Sequence, residues 1–104
     1  MGFSFPVAAD ERRLFGHVAS LRCQRAECPG GCGPVQVSHS NQLRDGKGRG
    51  TKADAWRVAA LGVRCHEELD SGKRLSKQER REQWDEAHRR TIGELFRIGA
   101  IRPV

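Results

Sequence analysis

Residues 22–34 read RCQRAECPGGCGP and hold three of the chain's four cysteines, Cys23, Cys28 and Cys32, among proline and glycine. That density of turn formers excludes helix and strand and predicts a run of tight turns. Thiols clustered on tight turns resemble a zinc knuckle. The fourth thiol, Cys65, comes much later, inside GVRCHEELD (62–70). Four thiolates complete a closed tetrahedral site, and zinc suits them because it takes sulfur ligands and has no redox chemistry. The spacing is C-x4-C-x3-C and then a long gap, not paired C-x2-C. A mixed tetrad, with His39 or His66 replacing one thiol, is the runner-up, disfavoured because those histidines have a better use in a second site. Buried free thiols are the bland reading, and three cysteines packed into so short a turn region weigh against it.

Working outward, Val35 and Val37 alternate with Gln36 and Ser38, the pattern of a short strand that delivers His39 at its end. Residues 41–54, NQLRDGKGRGTKAD, follow. Between Arg44 and Lys52 lie four basic residues, three glycines and one acid. Nothing there can pack a core, so a mobile polar loop is expected. Residues 56–61 regain apolar character and read as the second strand of a hairpin, and residues 62–70 as a short helix ended by Ser71-Gly72. On that helix His66 and Asp70 are four apart and share a face, so an imidazole and a carboxylate could hold one divalent ion. His39, on the opposite strand, could face this pair. Taken singly, His66 and Asp70 read better as a helix-stabilising pair worth a few tenths of a kcal/mol; the arrangement of thiol knuckle, strand with His39, basic loop and Cys-His on a helix is what favours a site.

The flanks are helical. Residues 1–9 read as a loose arm. From Asp10, Leu14, Val18 and Leu21 recur at helical spacing, although Gly16 opposes the helix. Ser76 with Glu79 forms a capping box, and Trp84, His88, Thr91, Leu95 and Ile98 follow a three-to-four repeat. One long amphipathic helix is predicted over 76–98, with Gly99 and Pro103 as stop signals.

Composition sets the bounds. The chain's 104 residues suit a single domain, and with 37% hydrophobic and 6% aromatic residues it has little to build a core from. A structural metal is a common remedy. A net charge of +6 favours polyanions, nucleic acid first. No stretch approaches the roughly 20 apolar residues of a membrane span. The start MGFSFPVAADERRLF lacks the shape of a secretory signal, and Pro6 defeats a myristoylation motif. A cytoplasmic protein without membrane contact is expected, where cysteines serve metals rather than disulfides.

The order RCQRAECPGGC, VSHSN, GRGTKADAWRVAALGVRCHEELD resembles the HNH (ββα-metal) nuclease superfamily and is most similar to the small prophage-encoded YbcO-like nucleases. The resemblance covers residues 22–72. Its most specific pieces are Pro29-Gly30-Gly31-Cys32, His39, Gly50-Thr51-Lys52 and Cys65-His66-x-Glu68-x-Asp70. It implies an α+β treble-clef domain with structural zinc on Cys23, Cys28, Cys32 and Cys65, flanked by the two helices. It implies a metal-dependent endonuclease acting on nucleic acid, DNA first. His39 matches the general base, and His66 and Asp70 match ligands of a catalytic Mg²⁺ or Mn²⁺. Arg44, Lys47, Arg49 and Lys52 would then grip backbone phosphates.

Three positions depart from the family pattern. Ser38 stands where an acid or His often ligates metal. The central Asn is not evident, with Asn41 and Asp54 the candidates. Gly62 replaces the first Cys of C-x-x-C-H, for which the extra knuckle thiol, Cys28, would compensate. The first two bear on catalysis, so a zinc-stapled DNA or RNA adaptor without catalysis is the alternative function. An interaction domain using the long helix is the third reading.

Overall fold

The computed structural model describes residues 8–40 and 56–102, with the backbone alone for residues 8–10. In chain order the elements are α1 (Ala8–Ser20), β1 (Val35–His39), β2 (Val58–Gly62), α2 (Val63–Ser71) and α3 (Lys77–Arg97). This is the expected α+β class. The boundaries shift slightly: Ala8 and Ala9, assigned to the arm, already belong to α1, and β2 starts two residues after Trp56. The expected loop, with Arg44, Lys47, Arg49, Lys52, Asn41 and Asp54, lies outside the described residues, as do most of the arm and Pro103. Among the described residues, no helix is long and apolar enough to cross a membrane.

β1 and β2 pair antiparallel, with Val35 opposite Gly62 and His39 opposite Val58. Every residue of β2 is buried, because the hairpin is packed on both faces. Residues of a strand alternate between faces. Ala59 and Leu61 join Cys32, Cys65, Leu69, Trp84 and Ala87 in one cluster on the α2 side. Val58 and Ala60 join Leu14, Val18, Leu95 and Ile101 on the α1 side, with Val35 and Val37 packed against them. Small residues in β2 let helices approach from both sides.

α3 runs against the free edge of β2, and its apolar stripe carries two polar residues for that reason. An exposed strand edge leaves unpaired amides and carbonyls. His88 Nδ1 donates to the Val58 carbonyl at 2.7 Å, and the Ala60 amide donates to Thr91 Oγ1 at 3.0 Å. The Thr91 hydroxyl in turn donates to the Ala87 carbonyl. From the knuckle, the Gln24 amide donates to the Ala60 carbonyl at 2.8 Å. The helix begins on the expected capping box, with reciprocal Ser76 and Glu79 bonds. It ends where Gly99 turns at φ 76°, which lets the Ala100 amide return to the Leu95 carbonyl and buries Ile101.

Two substitutions on α3 separate edge-sealing from helix propensity. Thr91→Val keeps shape and burial but strands the Ala60 amide, so unfolding free energy should fall by about 1–3 kcal/mol. Gly93 is exposed, and an added Cβ there meets no atom within 4 Å. Gly93→Ala should therefore stabilise by about 1 kcal/mol. Urea melts of both variants read the two effects. A neutral Thr91→Val would mean that the edge bond adds nothing.

Candidate metal centre

The knuckle has no regular structure of its own. Its backbone is tied to α2 at two points: the Val63 amide donates to the Pro34 carbonyl at 3.0 Å and the Arg64 amide to the Cys32 carbonyl at 2.9 Å. The first amides of a helix have no partner within it, and α2 has no side-chain cap. The knuckle carbonyls take that place. This docking carries Cys23, Cys28 and Cys32 to the first turn of α2, where Cys65 waits.

The four ligand sulfurs all lie within 4.8 Å of one another, and Cys28 and Cys32 Sγ are 3.4 Å apart. Zinc at about 2.3 Å from each of four thiolates would set them about 3.8 Å apart. Cluster size and donor chemistry therefore fit such an ion, and the fit favours the all-cysteine tetrad over the mixed one. Cys32 and Cys65 are buried, and Cys23 and Cys28 are half-buried. Burial pushes the Cys65 thiol up to about 12 despite the nearby Arg25, and burial also raises Cys32. The Gly30 amide, 3.4 Å from Cys28 Sγ, lowers Cys28. Buried thiols held protonated in this way need a cation to ionise together, so metal uptake would release protons and weaken in acid.

Gly62, which joins β2 to α2, is shaped by the same cluster. Its φ of −64° and ψ of 156° suit any residue. Space is what demands glycine: a Cβ at 62 would fall 2.0 Å from Cys32 Sγ and 3.0 Å from the Gly33 carbonyl oxygen. That 2.0 Å is close to a carbon–sulfur bond length. The sulfur of Cys32 thus takes up the space that any side chain at 62 would enter. Of the knuckle thiols, the one that closes on Gly62 is Cys32, not Cys28.

The histidines are arranged differently from the sequence expectation. His66, half-buried on α2, sets Nδ1 2.8 Å from Gln36 Oε1. A proton on Nδ1 would donate to that oxygen and leave Nε2 as a ligand. Asp70 is exposed one turn further along α2, and its carbonyl accepts from Arg80. His39 is exposed at the last position of β1, edge-on to the Phe15 ring at 5.2 Å. It lies on the face of Val35 and Val37, whereas Gln36 and Ser38 point to the other. The pleat therefore turns His39 towards α1 and away from His66 and Asp70. Among the described residues, the side chains gathered as a metal cluster are the four cysteines. Ser38 is buried on the α2 side and accepts the Trp84 indole N–H at 2.9 Å. An acid there would meet a buried ring.

Sequence reasoning missed Arg25, which is buried and reaches Cys65 Sγ, Glu68 and Gln83. An arginine in a turn normally signals solvent, and no local pattern tells the two apart. Trp84 and His88 stack at 5.5 Å and 5°, with Arg57 set over both Trp56 and Trp84.

Relocating the ligand tests this geometry. Gly62→Ala should displace Cys32 Sγ and lower metal content, as should Cys32→Ala. The double variant Cys32→Ala/Gly62→Cys should regain metal, because a Cβ at 62 lies beside the place that the Cys32 sulfur vacates. Metal per chain by elemental analysis reads all three, and a double variant no better than Cys32→Ala would refute the equivalence of the two positions. Comparison with protein-family models, curated proteins and solved structures returns no match to this chain.

Proposed function

We propose that this chain is a zinc-stapled HNH-type treble-clef domain that hydrolyses nucleic-acid phosphodiester bonds. The observation that carries the reading is His66. It follows a ligand thiol directly, on a helix pinned to the four-cysteine cluster, and the bond to Gln36 orients its ring. An imidazole fixed at one nitrogen by an outer partner is the usual setting of a metal ligand. His66 and Asp70 would hold a divalent ion, Mg²⁺ or Mn²⁺, which when bound supplies charge stabilisation at a phosphoryl group. His39 would accept the proton of the attacking water. The net charge of +6 supports a polyanionic substrate, and Arg44, Lys47, Arg49 and Lys52 would meet its backbone.

The second reading is a non-catalytic DNA or RNA adaptor. One observation favours it: His39 and His66 sit on opposite faces of β1, an awkward arrangement for a base and a metal acting on one phosphate. The adaptor keeps the zinc and the basic segment and needs neither histidine.

Plasmid cleavage with Mg²⁺, Mn²⁺ or EDTA separates the two. The hydrolase reading expects metal-dependent nicking, which His39→Ala reduces by about 10²–10⁴ while binding persists. His66→Ala should raise the metal concentration required. Salt-dependent binding with no nicking under any metal would leave the adaptor. In either case Lys47→Ala/Arg49→Ala should flatten the salt dependence of binding by about two units of log–log slope. An unchanged slope would remove those residues from the interface.

A further inference from the structure

Arg25 lies in the knuckle, two residues after Cys23, and its side chain is only 3% exposed. Burying a guanidinium is costly unless its donors are taken. Here they are taken by three different partners. Nε donates to Gln83 Oε1 on α3 at 2.8 Å, Nη2 to Glu68 Oε1 on α2 at 2.8 Å, and Nη1 to Cys65 Sγ at 3.6 Å. Gln83 also donates back to Glu27 Oε2 at 2.9 Å, and Arg74 shares the Glu68 carboxylate. The fork is thus held from behind by α2 and α3 while its remaining arm is aimed at a ligand sulfur.

A dication on four thiolates carries excess negative charge in a partly buried place. A guanidinium bond to an ionised sulfur is charge-assisted and stronger than one to a neutral thiol. It therefore favours the metal-loaded, thiolate form over the empty, protonated one. We propose that Arg25 is a positioning residue for the metal centre: it orients and charge-balances Cys65 and so sets how firmly the site keeps its ion. This rests on the reading of the four cysteines as a metal site. Through Gln83 the same fork is tied to the first half of α3.

The test uses the full chain loaded with zinc, and separately with Co²⁺ as a spectroscopic probe. Release of zinc to a chromogenic chelator and the Co²⁺–thiolate charge-transfer band are recorded for wild type, Arg25→Met and Arg25→Lys. Arg25→Met should release zinc about 10–100-fold faster, since outer partners of metal ligands typically contribute that much to affinity. Its charge-transfer band should shift, because the Cys65 sulfur loses its donor. A purely structural role in packing would leave that band in place. Arg25→Lys keeps the charge but not the planar three-way fork, so its release should fall between the other two. Wild-type release with an unshifted band in Arg25→Met overturns the proposal. If Arg25→Met does not fold, Arg25→Lys decides alone: faster release supports the proposal and wild-type release overturns it. A wild-type chain that takes up neither zinc nor Co²⁺ removes the metal reading itself, a failure distinct from unchanged release in the variants.

Discussion

Four sulfurs drawn within 4.8 Å of one another constrain everything around them. Three belong to turns that cannot hold a shape alone, and the fourth to the first turn of a helix. Bringing them together fixes the knuckle against α2, and the knuckle carbonyls of Cys32 and Pro34 then satisfy the helix amides. β2 runs directly into α2 through Gly62, so the helix axis is set by the strand and the thiols together. Gly62 is needed because the sulfur of Cys32 occupies the space of its missing side chain.

The rest of the chain closes around a very small hairpin. β2 offers two alanines, a valine and a leucine, buried by helices on both faces. With so little apolar material, polar bonds carry a larger share of specificity. His88 and Thr91 seal the edge of β2, Ser38 receives the Trp84 indole, and Arg25 joins the knuckle to α2 and α3. Each is a buried polar group with its partner in place. Losing one partner leaves the other desolvated and unmet, which costs more than the bond itself contributes.

The same alternation that builds the hairpin governs its chemistry. On β1, Gln36 reaches His66 and Ser38 reaches Trp84 on one side, while His39 meets Phe15 on the other. A hydrolytic reading must bring His39 round the strand end towards His66. An adaptor reading leaves both histidines where they stand. Arg57, set over Trp56 and Trp84, stands just before β2 begins.

Periodicity and turn chemistry alone gave the element order: a helix, a cysteine-rich turn region, a hairpin, a short helix and a long capped one. These are local properties. The capping box at Ser76 and the alternation through Val35 and Val37 act within a few residues, so they are legible in one dimension. The gathering of four thiols was also legible, because cysteines in a turn region have few other uses there. Three things depended on the tertiary structure. The side of the hairpin that His39 faces is set by which helix packs on which face, and that requires the whole chain. Gly62 has to lack a side chain because the knuckle docks with the Cys32 sulfur against the strand end. Arg25 turns inward because a carboxylate from α2, an amide from α3 and a sulfur converge on it. Partners that lie 40 to 58 residues away in sequence leave no trace in the turn that bears the arginine.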